Sequence, residues 1–213
     1  RELGEPFAHV IGGDFQRRPQ AAAVLRVLEV GGQVVYWFVD ECGVKGTEVE
    51  LSTELMGAPH SLCPAPNDPR GAVWVGDCSG SWQGAERIRG RTSFGLLEEQ
   101  GWRVHPAEVV KVAGRSDHPK NPDVGQRLGL MMRLMEARRV RVSPACEWLQ
   151  DAFARCQLAK RESGRRVPVG RHAHVTDAAS YAVWRLEPRP QAAQPFRASD
   201  IMILQRQKRE GFL

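Results

Sequence analysis

Between Ala21 and Val39 the chain passes through two β-rich apolar runs separated only by Gly31-Gly32. A Gly-Gly pair between two such runs is a hairpin signal, because both central positions of the favoured two-residue turn need positive φ. A further apolar run, His9 to Asp14, precedes them, so the first three strands are expected to form an antiparallel meander. Neither run of the hairpin alternates cleanly between apolar and polar residues. Strands of that kind belong inside a sheet covered on both faces, which requires helices from later in the chain.

Those helices are signalled in turn. Thr47-Glu48-Val49-Glu50 has capping-box spacing, and Leu51 and Leu55 share a face, so a helix is expected over 48–56 with Gly57 at its end. A Pro-rich loop leads to the short apolar run Val73 to Asp77. With a helix in between, this fourth strand joins the sheet parallel to the first by a right-handed crossover. Thr92 to Gln100 reads as a short helix closed by Gly101, followed by a strand at Trp102 to His105. Asn121-Pro122 has the signature of an N-cap and first helical position, and Val124, Leu128, Met131 and Met135 form one core-facing stripe. Val140 to Val142 reads as an edge strand. Ser143-Pro144 then opens a helix turning Trp148, Leu149, Ala152, Phe153 and Cys156 inward, and a last helix is expected over about 176–186. The fold class is therefore α/β, a mixed sheet of three antiparallel strands followed by parallel ones, with helices on both faces.

At 213 residues and 42% hydrophobic the chain can bury a full core. We expect one domain over 1–187 and a partly ordered tail over 188–213, where Pro, Gln, Ala and Arg take over. No run approaches the roughly 20 apolar residues of a bilayer span, and no signal-peptide pattern opens the chain, so a soluble, intracellular protein is expected. The chain begins at Arg1, which suggests a domain cut from a longer protein. Its five cysteines, Cys42, Cys63, Cys78, Cys146 and Cys156, contain no C-x-x-C pair. Reduced, mostly buried thiols fit that pattern better than a disulfide framework or structural zinc. A net charge of +5 favours a polyanionic partner only mildly.

The candidate chemistry lies in three aspartates. Asp14 and Asp77 end short apolar strands, each after a glycine, and Asp177 opens the last helix in His174-Val175-Thr176-Asp177. In the expected topology the first and fourth strands are neighbours about 4.8 Å apart, so their terminal carboxylates meet, and Asp177 closes the group from above. Carboxylates crowded in this way repel one another unless cations neutralise them, and all-oxygen ligands suit Mg²⁺ or Mn²⁺. Two such ions would activate a water and stabilise the leaving oxygen of a phosphodiester, which is the chemistry of a nuclease. Basic segments that could hold the phosphate backbone flank the site: Arg87, Arg89 and Arg91, then Lys160, Arg161, Arg165, Arg166 and Arg171. Solvated basic loops are the alternative for both. Glu41 is either a water-mediated metal contact or a hairpin-end acid. Asp117 and Asp123 precede a helix, where capping accounts for them.

The order and context of Ile11-Gly12-Gly13-Asp14-Phe15, of Trp74-Val75-Gly76-Asp77-Cys78-Ser79-Gly80 and of the His174 to Trp184 helix, with the strand-Ser-Pro-helix of Val140 to Phe153 before it, resemble the ribonuclease H-like nuclease domain of bacteriophage large terminase subunits. The similarity spans roughly 7–187. It implies a metal-dependent endonuclease that cuts concatemeric double-stranded DNA during genome packaging in the host cell cytoplasm. Asp14, Asp77 and Asp177 fall on the family's metal-binding carboxylates, and His174 on a histidine that some members place beside the metals; a hydrogen-bonded structural histidine is the alternative. The resemblance also implies an N-terminal ATPase domain, a small terminase subunit and a portal as partners, and no membrane. No G-x-x-x-x-G-K-[ST] phosphate loop occurs here. Where many relatives have Gly after the acidic strand, this chain has Phe15-Gln16-Arg17-Arg18. A junction resolvase or transposase-like nuclease, or a non-catalytic ribonuclease H-like module, would share much of this pattern.

Overall fold

A computed structural model of the chain describes residues 8–15, 20–57, 65–66, 71–77, 92–110, 118–155, 157–160, 166–170 and 172–187. Strands β1 (Ala8–Asp14), β2 (Gln20–Val30) and β3 (Gln33–Val44) form the expected meander. The β2–β3 turn is made by Gly31 and Gly32 at φ of 60° and 76°, the left-handed region that a side chain would disfavour. Helix α1 (Glu48–Met56) carries the expected capping box, Thr47 and Glu50 each accepting from the other's backbone N–H. Strand β4 (Val73–Gly76) runs parallel to β1, and after helix α2 (Ser93–Glu99) strand β5 (Arg103–Pro106) runs parallel to β4. A hairpin, β6 (Glu108–Val110) with β7 (His118–Lys120), precedes helix α3 (Val124–Glu136). Strand β8 (Val140–Val142) then pairs parallel with β3 as the sheet's other edge, giving the order β5-β4-β1-β2-β3-β8.

Helix α4 (Glu147–Arg155), the hairpin β9 (Gln157–Lys160) with β10 (Arg166–Val169), and helix α5 (Ala173–Leu186) complete the described structure. The basic segment read as a loop is thus partly an antiparallel hairpin, with Lys160 opposite Arg166. Short runs such as Leu158-Ala159 and Val167-Pro168-Val169 carry too little periodicity to announce strands.

Two cores sandwich the sheet. On one face α3, α4 and α5 pack over Val10, Ala21, Ala23, Leu25 and Val75; on the other α1 and α2 cover Ile11, Ala22, Val24 and Trp74. Because successive side chains of a strand alternate faces, Val10, Gly12 and Asp14 look toward the α5 side while Ile11, Gly13 and Phe15 look toward α1 and α2. Covering both faces explains why β2 is almost wholly buried and lacks an alternating pattern. The α3 methionines are core residues, as expected: Met131, Met132 and Met135 are all buried.

Two sequence expectations need correction. Helix α3 is capped by Asp123, whose carboxylate accepts from Gln126 N at 3.2 Å, and not by Asn121. Helix α5 starts at Ala173, so Asp177 sits in its second turn and not at its opening. Ala173, His174 and Val175 all tolerate helix, and the N-cap position His172 makes no side-chain cap bond, so nothing local marks the start. Gly57 does end α1, but at φ −76°, without the left-handed turn usual for a C-terminal glycine. Cys42 and Cys146 are buried free thiols, their pKa pushed up to about 12 chiefly by burial. Cys63, Cys78 and Cys156 lie outside the described residues, as does the tail over 188–213.

Candidate functional site

The β1–β4 register decides where the first two acids stand. Gly13 pairs with Gly76 on the last shared rung of the two parallel strands, so Asp14 and Asp77 each follow by one residue on neighbouring strands. The same alternation that turns Gly12 toward α5 turns both aspartates there. Both are buried, at 6% and 3% exposure.

Glycine on each side of the sheet is what lets the site close. A Cβ on Gly12 would lie 2.0 Å from the Ala178 carbonyl oxygen, so α5 is pressed against the β1 backbone one residue past Asp177. On the opposite face Cβ atoms on Gly13 and Gly76 would lie 2.4 and 2.3 Å from the Phe15 ring. Phe15 therefore tucks under both acidic strand ends, against Trp74 and Phe94. Phe15 is thus a floor for the site. Gln16, Arg17 and Arg18, which follow it in sequence, lie outside the described residues.

Each carboxylate has protein partners. Asp14 Oδ2 lies 2.8 Å from Nδ1 of His174, one turn before Asp177 on α5. Asp77 Oδ2 accepts from Asn121 Nδ2 at 2.8 Å and from the Tyr181 hydroxyl at 3.0 Å. Asp177, with 24% of its side chain exposed, accepts at Oδ1 from Arg127 Nη2 at 2.9 Å. Burial pushes the Asp177 carboxyl above its usual range, Arg127 opposes that, and the charges of Asp14 and Asp77 add to it. The three acids thus share one electrostatic environment. Burial works against the charge of Arg127, yet Tyr181, Asp177 and Asp14 hold its pKa above the ordinary value, so it remains a cation.

The donor set fits a hard divalent cation in kind and place: carboxylate oxygens from two neighbouring strand ends and the helix packed over them. It does not converge on a point. Among the described residues no group of three or more His, Cys, Asp or Glu side chains is gathered closely enough to hold a metal ion. A cation would need the carboxylates to draw closer to one another.

Arg127 and Asn121 are the residues that sequence reasoning missed. Asn121 looked like a helix cap, and its Asn-Pro context still does; only the fold shows it reaching Asp77. Arg127 lies on the α3 stripe position before Leu128, and a helical Arg reads as solvent-facing unless the opposite wall is known. Glu41 resolves as structural. Its two oxygens accept from Trp148 N and Leu149 N, each at 2.6 Å, at the start of α4. His172 faces Asp151, at 3.7 Å. Of the expected DNA-contact residues, Arg87, Arg89, Arg91, Arg161, Arg165 and Arg171 lie outside the described residues, as does Asp117; Lys160 and Arg166 are described only as paired backbone.

No family model and no curated protein sequence matches the chain. Solved structures do. The P22 large terminase nuclease domain matches with a TM-score of 0.55 and 16% identity, covering 86% of this chain and 84% of that one. The SPP1 large terminase nuclease domain with bound Mn matches at 0.46 and 14% identity, over 84% of this chain and 86% of that one. The nuclease of the large terminase from thermophilic phage G20c with bound magnesium matches at 0.46 and 16% identity, over 84% of each chain. No helix among the described residues is long and apolar enough to cross a membrane. With its meander, parallel additions at both edges and helices on both faces, the chain has the ribonuclease H-like fold seen in the P22 large terminase nuclease domain.

Proposed function

We propose that the chain is the nuclease domain of a phage large terminase subunit, an endonuclease that cuts concatemeric double-stranded DNA with little sequence preference. The observation that carries this reading is the placement of Asp14 and Asp77 one residue past the paired Gly13–Gly76 rung, both facing the helix that brings Asp177. A structural role does not call for three acids on one side of a sheet end, where mutual repulsion costs stability. A phosphodiester hydrolase does.

Asp14, Asp77 and Asp177 would hold the cofactor, two divalent cations, Mg²⁺ or Mn²⁺. When bound, such ions neutralise the acids, polarise a water and stabilise charge on the leaving oxygen. The chain's own residues do the rest. The β1 and β4 backbones fix two acids at neighbouring positions. Helix α5, seated on Gly12, sets the third. His174, beside Asp14, can hold or pass a proton at its imidazole. Arg87, Arg89, Arg91, Lys160, Arg161, Arg165, Arg166 and Arg171 would supply the backbone contacts. In the intact packaging machine an ATPase domain, a small terminase subunit and a portal would present DNA to this site.

The test is plasmid nicking with Mn²⁺ or Mg²⁺, with and without EDTA, on the wild type and Asp77→Ala. Metal-dependent nicking that Asp77→Ala abolishes is expected. Full activity in EDTA, or an unimpaired Asp77→Ala protein, would sink the proposal. A linear duplex cut as readily as a branched one separates it from a junction resolvase.

A further inference from the structure

Arg127 is the feature the nuclease reading does not use. Its side chain comes from α3 and is buried, with 2% of the residue exposed, and it ends against Asp177, where Asp14 also acts on its charge. Nη2 donates to Asp177 Oδ1 at 2.9 Å, and Nη1 donates to the Asp177 backbone oxygen at 3.2 Å and to the Ser180 hydroxyl. The guanidinium lies 3.9 Å over the Tyr181 ring, whose hydroxyl donates to Asp77. One cation thus holds the third acid directly and reaches the second through the ring beneath it.

Resting on the nuclease reading, we propose that Arg127 is a resident counter-cation and positioning residue of the acidic site. It keeps Asp177 and Asp77 assembled without metal and occupies one oxygen of Asp177, leaving the other for a divalent ion. The forked guanidinium suits this, since it satisfies a carboxylate, a carbonyl and a hydroxyl at once while stacking on an aromatic face. Its anchorage to Ser180 and to the α5 backbone makes it a fixture of the site and not a side chain that swings away. Among the described residues no three-acid group is gathered closely enough for a metal ion, and one oxygen of Asp177 is turned to Arg127. A fixed positive charge beside the metal position also repels the incoming ion, so the device trades metal affinity for acids held near one another before the ion arrives.

The measurements are Mn²⁺ titration by calorimetry and thermal unfolding in EDTA and in saturating Mn²⁺, alongside nicking rates. Arg127→Met keeps the apolar stem and removes the charge. We expect it to bind Mn²⁺ at least about tenfold more tightly, as removing a neighbouring positive charge demands. Its midpoint should fall in EDTA and be raised by Mn²⁺ more than that of the wild type, while turnover at saturating Mn²⁺ falls. A merely structural residue would move affinity the other way. Arg127→Lys should keep near-wild-type Mn²⁺ affinity, and Ser180→Ala, which loosens the guanidinium, should shift the metal response as Arg127→Met does but less. If Arg127→Met does not fold, the Ser180→Ala shift decides. Unchanged or weaker Mn²⁺ binding in a folded variant overturns the inference while metal-dependent nicking by the wild type stands. A wild type that binds no Mn²⁺ overturns both.

Discussion

Replacing Gly12 with alanine tests whether helix seating sets the site. The added Cβ would lie 2.0 Å from the Ala178 oxygen, 2.7 Å from its carbonyl carbon and 3.2 Å from Ala182 Cβ. Real Cβ atoms essentially never approach within 3.0 Å, so strand and helix must part by about 1 Å. The obstacle is backbone, which cannot rotate aside. Overpacking of this kind costs about 1–3 kcal/mol, slightly offset by the lower unfolded-state entropy of alanine. For a chain of this size that is a midpoint lowered by roughly 2–12 °C. Because the helix that moves carries Asp177 and His174, cleavage should fall further than stability, on the order of 100-fold for a displacement of about 1 Å. Urea unfolding reads the first quantity, and nicking at saturating Mn²⁺, at a temperature where the variant is folded, reads the second. A variant as stable and as active as the wild type would refute both the tight seating of α5 on β1 and its role in placing Asp177.

Two further outcomes concern Glu41 and the two tyrosines. Glu41→Ala removes both carboxylate bonds at the start of α4 and should cost about 1–2 kcal/mol in urea unfolding with nicking unchanged, and a selective loss of metal-dependent activity would show that Glu41 contacts the site instead. The chain has two tyrosines, Tyr36 and Tyr181, both buried. Burial is the largest cause raising each hydroxyl's pKa; the Glu187 carboxylate that Tyr36 donates to adds to it, as do the acids around Tyr181. The neutral forms are favoured in the folded state, so this contribution is intact below the unfolded value of about 10 and is lost as pH rises beyond it. Absorbance near 295 nm should therefore show no tyrosinate in the native protein around pH 10–11, the signal appearing only with unfolding. A normal ionisation near pH 10 would contradict the burial of both hydroxyls.

Much of the architecture was legible because its signals are local. The Gly31-Gly32 turn, the Thr47–Glu50 capping box and the apolar runs ending in Asp14 and Asp77 each depend on residues close in sequence. Chain order then confines the fourth strand to a place parallel with the first. The β9–β10 hairpin and the start of α5 were not legible, since short runs and an uncapped helix start leave several local conformations nearly equal.

The sequence by itself determined the mixed sheet, its helical cover and the delivery of Asp14 and Asp77 to adjacent strand ends, because strand direction and period two settle where those acids point. Only the tertiary structure decided what surrounds them. Arg127, Asn121, Tyr181 and Phe15 come from α3, the turn before it, α5 and the end of β1, and no spacing in the chain relates them to Asp77. What joins them is close packing: Gly12 lets α5 settle on β1, and that contact turns a helical arginine and a capping-type asparagine into partners of the acids. A buried charge is stable only beside its counter-charge, and that neighbour is chosen by the fold.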